Sequence, residues 1–266
     1  MKTALIAGYG VIPLIAAENL IKMGDNLLVI PLYEEVTADF SSLENAEIKQ
    51  FSVTQVGKII KTMRSAGVQR VLFAGKVNKS LLFSDIKFDI TAVKLLASTI
   101  NRKDDTLMQA VCEEMEANGI EVMKQSDVLK EMFLESGVYS KKKPSKDHLA
   151  DIDFGMEIAK ELGRLDIGQT VVVKDKAVMA LEAIEGTDEA VKRGCQLAKK
   201  DAVVVKCSKP SQDERFDIPT VGVDTLMNLS DNNGRVLAVE AGKTFVVDKQ
   251  ACIKFADEHK IIFLAK

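Results

Sequence analysis

The stretch TALIAGYGVIPLIAAENLIKMGDNLLVIPL runs through a short unbroken apolar segment, a glycine turn, a segment of helical period, a second glycine and another apolar run. A continuous apolar run of strand length, bounded by turn residues, is how a strand buried on both faces reads. Leu5 and Ile6 lie in the first run. Pro13 suits a first helical turn, where its missing N–H costs nothing, and Gly24 suits a helix exit. The theme returns in VTQVGKIIKTMRSAGVQRVLFAG, which predicts a helix, a stop at Gly67 and the strand RVLFAG. It returns again in DDTLMQAVCEEMEANGIEVMKQSDVL, with a helix from about Asp105, Gly119 as its stop and the short strand IEVM. Such alternation builds βαβ units and a parallel sheet. The pattern predicts an α/β protein whose residues 1–135 form a Rossmann-like domain.

The character changes in SGVYSKKKPSKDHLADID, which is lysine-rich and lacks an apolar period. Residues 136–147 read as a connection between domains, followed by a helix in DHLADIDFGMEIAKELGRL. Residues 136–266 predict a second α/β domain with a mixed sheet. QTVVVKDKAVMALEAIEG reads as two strands around a KDK turn, and TDEAVKRGCQLAKK as a helix with Thr187 as N-cap and Asp188 and Glu189 in its first turn. DAVVVKC follows as a strand, GVDTLMNLSDNNG as a helix, RVLAVEAGKTFVVD as a strand pair, KQACIKFADEHK as a helix and IIFLA as the last strand.

Composition narrows the function. Of 266 residues 47% are hydrophobic, so a packed interior is within reach and global disorder is excluded. Trp is absent and aromatics are only 5%, which argues against a base-stacking surface and hence against a nucleic-acid partner. A net charge of -3 provides no strong field toward DNA or an anionic membrane. Cys112, Cys195, Cys207 and Cys252 form no CxxC pair, and with only two histidines a zinc cage is not expected. The cysteines read as small buried hydrophobes in a reducing compartment. TALIAG is too short for a signal core, and no stretch reaches the ~18 apolar residues a span needs. The expectation is a cytoplasmic protein. The run KKKPSK could touch anionic headgroups of a membrane surface, and a solvated hinge is the competing reading.

Several positions could carry chemistry. In GYGVIP, Gly8 and Gly10 would let backbone approach a phosphate at a helix start, with Pro13 near the place of the third glycine of GxGxxG. The same residues also suit any tight strand-to-helix turn. Glu34 or Glu35 would be the acidic residue after the second strand. Gln55, Gly57 and Lys58 open a helix where a phosphate could sit, or where a capped helix simply shows its charges to water. Gly75 and Lys76 end a strand on the rim where open α/β sheets bind ligands. Asp104 and Asp105 read as caps of the following helix. In EAIEGTDEA, Glu182, Glu185 and Asp188 could lie close together, although an acidic first turn is stabilising without any catalytic role. Met132, Phe133 and Leu134 near the domain junction could shelter an apolar part of a ligand or simply pack a core.

KCSKPSQDERFDIPTVG leaves an apolar strand on the same kind of rim. Pro219 makes Ile218 extended. If extension reaches back to Asp213, alternation puts Asp213, Arg215 and Asp217 on one side, with Phe216 and Ile218 as anchors on the other. Two carboxylates there could hold Mg²⁺ together with substrate phosphate, with Arg215 and Lys209 on the remaining phosphate oxygens. Alternatively Arg215 neutralises both aspartates as a structural ion triad.

LIAGYGVIPL, QVGKIIKTM, VLFAGKV, VVVKDKAVMALEAIEGTDEA, VVVKCSKPSQDERFDIPTVGVDT and VEAGKTFVVD occur in that order. Together they resemble the UDP-2,3-diacylglucosamine pyrophosphatase family of lipid A biosynthesis, of the Mg²⁺-dependent, two-domain type. The resemblance implies a nucleotide-binding amino half, a hydrolase carboxyl half and a UDP-linked diacyl sugar between them. It implies release of UMP and 2,3-diacylglucosamine 1-phosphate (lipid X), with Mg²⁺ or Mn²⁺ as cofactor and a homodimer. The family's important acidic loop residue falls on Asp213, with Asp217 as the second choice. With the residue readings above, the expected substrate-binding set is Gly8, Gly10, Pro13, Gln55, Gly57, Lys58, Gly75, Lys76, Asp188 and Thr220. The expected catalytic set is Asp213, Arg215, Lys209 and Glu185, with Asp213 and Asp217 as the expected metal ligands. The chain departs from the family at Val11, where a polar or basic residue is common. The rival readings are a nicotinamide-dependent oxidoreductase, which lacks its GxGxxG here, and a nucleotide- or lipid-binding protein without turnover.

Overall fold

A computed structural model describes residues 1–32, 36–77, 88–98 and 104–266, without the side chains of 104 and 105. Glu34 and Glu35 therefore lie outside the described residues, as do the side chains of Asp104 and Asp105. The chain divides into two compact units. The first comprises Met1–Lys130 together with Asp213–Asp217, and the second Glu131–Gln212 with Ile218–Lys266.

In the first unit, β1 (Lys2–Ala7), α1 (Ile12–Lys22), β2 (Asn26–Pro31), β3 (Ala46–Ile48), α2 (Val56–Ser65) and β4 (Arg70–Ala74) come first. They are followed by α3 (Ile90–Ser98), α4 (Asp104–Ala117), β5 (Glu121–Val122) and the short α5 (Gln125–Val128). The sheet order is β3-β2-β1-β4-β5, and its pairs are parallel. The central strands are buried on both faces, which is why they appear in the sequence as unbroken apolar runs. Ile6, Leu28, Ile30, Met63, Phe73 and Met115 share one core. Gly24, Gly67 and Gly119 end their helices in the left-handed region, as their positions predict.

The second unit contains β6 (Gly137–Val138), α6 (Lys146–Arg164), β7 (Thr170–Lys174), β8 (Ala177–Leu181), α7 (Thr187–Ala198), β9 (Ala202–Lys206) and β10 (Thr220–Val221). It continues through α8 (Val223–Asp231), β11 (Gly234–Val239), β12 (Phe245–Val246), α9 (Lys249–Glu258) and β13 (Ile262–Ala265). Six strands form one mixed sheet, β6-β13-β11-β9-β7-β8. β9, β11 and β13 run parallel, while β6, β7 and β8 pair antiparallel. Strand alternation separates the two faces. Val203 and Val205 face the core shared with α6, and Val204 faces the core shared with α7, α8 and α9. Gly155 on α6 and Gly194 on α7 let those helices approach Val205 and Val172, where a Cβ would collide.

Three sequence expectations change here. β11 and β12 do not pair with each other; β12 pairs in parallel with β10 in a separate two-stranded sheet. The lysine-rich segment read as a connection supplies β6, whose Val138 pairs with Leu264. Thr187 is the first helical residue of α7, and its N-cap is Gly186 at φ 82. The KDK turn does form: Asp175 and Lys176 both have positive φ, the geometry of a two-residue hairpin. The buried carboxylate of Asp151 on α6 accepts both turn amides, at 2.9 and 2.7 Å.

Candidate active site

In the first unit the turns after β1 and β4 meet backbone to backbone. Gly8 N–H donates to the Ala74 carbonyl at 2.9 Å, and Tyr9 and Lys76 exchange amide bonds at 2.8 and 3.0 Å. A Cβ on Gly8 would lie 2.4 Å from the Lys76 carbonyl oxygen, and one on Gly75 2.8 Å from Pro13 Cγ. Gly8 and Gly75 are thus required by the packing of two loops against each other. Gly10 differs, because it sits at φ +101 with nothing within 4 Å of its Cβ position, and its amide donates to Thr37 Oγ1 at 3.2 Å. Pro13 occupies the first turn of α1, where no side chain caps the amides. Lys76 is exposed.

The predicted anion position at the start of α2 is taken by a side chain of the protein itself. Asp89 Oδ2 accepts the amides of Gly57 at 2.8 Å and Lys58 at 3.2 Å, and Asp89 Oδ1 accepts the Ala92 amide at 2.9 Å. Asp89 therefore caps α3 from its own chain position and α2 from a distance. Gln55 turns its Oε1 to the Ser52 amide at 3.1 Å. The sequence expectation missed Asp89 because a capping carboxylate 32 residues away leaves no local pattern.

The acidic stretch is not extended. Asp217 N–H donates to the Asp213 carbonyl at 3.0 Å, closing one helical turn, and the Arg215 amide bonds Asp213 Oδ1 at 3.0 Å. Asp213 and Asp217 are therefore related as i and i+4 on a turn rather than by strand alternation. Arg215 grips Asp213 with two nitrogens, Nε to Oδ1 at 3.0 Å and Nη2 to Oδ2 at 2.7 Å, while its Nη1 lies 3.3 Å from Glu116 Oε1 on α4. The ion triad anticipated for Arg215 thus recruits Glu116, a residue the sequence did not single out. Partial burial alone would raise the Asp213 pKa, but the Arg215 hydrogen bonds and charge outweigh it and hold the carboxyl below the usual range. The same bond raises the pKa of Arg215 and fixes it as a cation.

The turn is anchored within the first unit. The Gln125 amide donates to the Glu214 carbonyl at 2.7 Å, Ser126 Oγ donates to Glu214 Oε2 at 2.8 Å, and Phe216 packs against the first core. The chain thus leaves the second unit after Gln212, contributes Asp213–Asp217 to the first and returns at Ile218. These acids are thus carried by the carboxyl-terminal half of the chain, as expected, while packing with the first unit.

In the second unit, Lys209 Nζ pairs with Asp166 Oδ1 at 3.0 Å. Glu185 Oε1 accepts from Arg193 Nη2 at 2.5 Å, and its carboxyl is held below the usual range by its own backbone amide first and by Arg193 second. Glu182 bonds the Thr187 hydroxyl at 2.8 Å instead of joining Glu185. Asp188 is exposed in the first turn of α7, and its carbonyl accepts from Asn228 at 2.8 Å. Thr220 donates its hydroxyl to the Ile218 carbonyl at 3.2 Å. Met132 and Leu134 are buried, and Phe133 packs on Phe245 with ring centroids 4.7 Å apart, so these residues serve the core. The strand's own end, Lys206, went unremarked in the sequence; it is nearly buried and bonds Thr187 Oγ1 at 2.9 Å.

Among the described residues, no group of three or more His, Cys, Asp and Glu side chains could hold a metal ion. An open depression of about 470 Å³ in the first unit is lined by Gly57, Lys61, Arg64, Thr91, Glu114 and Asn118. Apart from Gly57 it holds none of the predicted residues, and it is an open surface feature among α2, α3 and α4. No helix among the described residues is long and apolar enough to cross a membrane.

The two units and an arginine-clamped acidic turn define a two-part α/β protein with an ionised carboxylate on one unit and a lysine-bearing strand end on the other. Residues 2–132 match the family model described as the LpxI N-terminal domain, and residues 135–264 the LpxI C-terminal domain. The UDP-2,3-diacylglucosamine pyrophosphatase LpxI of Caulobacter vibrioides is 35% identical over 268 residues, spanning 97% of this chain and 94% of that protein. The chain belongs to the LpxI family. Among solved structures, the Bordetella bronchiseptica enzyme WbmG in complex with NAD and UDP is 16% identical over 44% of this chain and 34% of its own, with a TM-score of 0.30. A UDP-glucose-4-epimerase from Stenotrophomonas maltophila with bound NAD and formylated UDP-arabinopyranose is 15% identical over 55% of this chain and 40% of its own, with a TM-score of 0.31. Likeness at that level carries no weight for fold or chemistry.

Proposed function

We propose that the protein hydrolyses the pyrophosphate bond of UDP-2,3-diacylglucosamine, releasing UMP and 2,3-diacylglucosamine 1-phosphate in lipid A biosynthesis. The observation that carries this reading is the end-to-end likeness to the Caulobacter pyrophosphatase, which runs through both units. The first unit is read as Rossmann-like. Its order β3-β2-β1-β4-β5 reverses direction beside β1, and the turns after β1 and β4 lie on the rim where such sheets bind nucleotides. Gly10 is the position there with space beside it, and a phosphate would have to take its amide from Thr37 Oγ1; Gly8, Pro13 and Gly75 shape the turn, and Lys76 supplies charge.

Mg²⁺, with Mn²⁺ as a substitute, is part of the proposal. The donor chemistry fits a hard cation: Asp213 and Asp217 offer oxygens only, sit one helical turn apart, and Asp213 is held ionised. An ion there would share Asp213 with the Arg215 fork and take its remaining donors from phosphate. When bound, such an ion offsets developing negative charge and lowers the pKa of a water it carries. Arg215, a fixed cation, is suited to stabilise phosphate oxygens. Glu185, held ionised, is suited to accept a proton and not to donate one at neutral pH. Lys209 is a second cation whose present partner is Asp166. A cytoplasmic setting, inner-membrane surface contact and a homodimer complete the proposal.

The test is direct: incubate the protein with UDP-2,3-diacylglucosamine and Mg²⁺ or Mn²⁺ and follow UMP. Metal-stimulated release of UMP supports the reading, and absence of product with both metals rejects it.

A further inference from the structure

Lys206 breaks the rule its strand otherwise obeys. Val203, Val204, Val205 and Cys207 around it are fully buried, and Lys206 itself is only 8% exposed. An ammonium there is costly to desolvate unless partnered, and an apolar residue of similar volume is commonly as good or better for stability. A charged residue held in a buried strand position at a ligand-binding rim is where function is expected.

Its surroundings specify what it does. Lys206 Nζ donates to Thr187 Oγ1 at 2.9 Å, and that hydroxyl in turn donates to Glu182 Oε1 at 2.8 Å. Glu182 Oε2 accepts the Gln169 amide at 3.4 Å. The single hydroxyl proton of Thr187 is committed to Glu182, so Thr187 must accept from the lysine, which aims the ammonium. Thr170 stands directly opposite Lys206 in the antiparallel pair of β7 and β9, which puts the two side chains on one face. Thr170 is 0% exposed, and its Oγ1 makes no hydrogen bond within the protein. An aimed cation and an unsatisfied buried hydroxyl therefore lie side by side. They sit at the carboxyl end of β9, which pairs in parallel with β11, on the rim where open α/β sheets take ligands.

We propose that Lys206, aimed by Thr187 and Glu182 and flanked by Thr170, is an anion-binding residue of the second unit that takes a phosphate oxygen of a phosphate ester or pyrophosphate. Thr187 and Glu182 are positioning residues. The assignment of that phosphate to the substrate rests on the hydrolase reading above; the anion site itself does not.

The experiment titrates inorganic pyrophosphate into the full-length protein and follows amide resonances by NMR. The wild type is expected to show saturable shifts at Thr170, Thr187 and Lys206. Lys206→Met, which keeps the packing volume, is expected to weaken binding about 10-fold or more, the scale of one lost charge-assisted hydrogen bond, and Lys206→Arg to recover part of it. Should Lys206→Met fail to fold, Thr187→Val keeps the ammonium and removes its aim; weaker binding rescued by Thr187→Ser supports the inference equally. In turnover, Lys206→Met is expected to raise KM for the diacyl sugar nucleotide by a similar factor. Absence of saturable shifts at these amides, or undiminished binding in folded Lys206→Met or in Thr187→Val, overturns the inference. A wild type that hydrolyses substrate but shows no such shifts sinks this inference alone. A wild type that binds pyrophosphate through Lys206 without hydrolysing the sugar nucleotide sinks the hydrolase reading alone.

Discussion

Replacing Asp89 by alanine removes two helix caps at once. Asp89 is the N-cap of α3, bonding the Ala92 amide, and from 32 residues away in sequence it also accepts the second and third amides of α2, those of Gly57 and Lys58. Loss of one side-chain cap costs about 1 kcal/mol, so Asp89→Ala is expected to lose about 2 kcal/mol locally. A two-unit chain need not unfold in one step, so a single melting midpoint would blur this figure. Amide hydrogen exchange reads it directly: about 2 kcal/mol corresponds to roughly 30-fold faster exchange wherever local opening limits the rate. The amides of the first turns of α2 and α3 should show this acceleration, Asp89→Asn should fall in between, and added phosphate should partly restore protection in the alanine variant by filling the vacated anion position. Unchanged exchange at Gly57 and Lys58 would refute the idea that Asp89 satisfies that helix end.

Further outcomes follow from the same geometry. Asp213 has a folded pKa below its unfolded value, so its pair with Arg215 contributes stability that is present above about pH 4 and is lost as pH falls through the folded pKa. The stability gap between wild type and Asp213→Asn, measured by denaturant titration, should be flat from about pH 5 to 8 and shrink below about pH 4. Because the pair is partly solvated, that gap should be about 1 kcal/mol and not several. Gly8→Ala should destabilise the first unit by about 1–3 kcal/mol, since its Cβ meets a backbone oxygen that cannot swing aside, as chemical denaturation would show. All four thiols are buried, and burial pushes Cys112, Cys207 and Cys252 up to about 12 and Cys195 to about 11. A thiol-reactive dye at pH 8 should therefore label the native protein only at the rate of unfolding.

The parts of the fold legible in the sequence were those where burial alone writes the pattern. LIA, LLVI, VLFA, VVV and IIFLA are strands covered on both faces, and the glycines after the helices mark real left-handed exits. The failures share a different physics. β6, β10 and β12 are two residues long and exist because a distant partner offers backbone bonds, so no local period announces them. Alternation in DERFD suited an extended segment, but the short Asp213 side chain bonds the Arg215 amide two residues on and turns the chain instead. Glu116 and Asp89 were invisible for the same reason as each other: their roles are defined by partners 99 and 32 residues away. Lys206 was legible only as the end of a strand, because its burial depends on the neighbours that cover it.

The central claim is that an ionised carboxylate on the Asp213–Asp217 turn serves metal-assisted cleavage of a sugar-nucleotide pyrophosphate. The measurement that tests it most directly is UMP release from UDP-2,3-diacylglucosamine by wild type and Asp213→Asn, each with and without Mg²⁺. The account predicts metal-stimulated release by the wild type and a loss of at least about 100-fold in the variant, the scale of losing one preorganised charge from such a site. Wild-type rates in Asp213→Asn would contradict it.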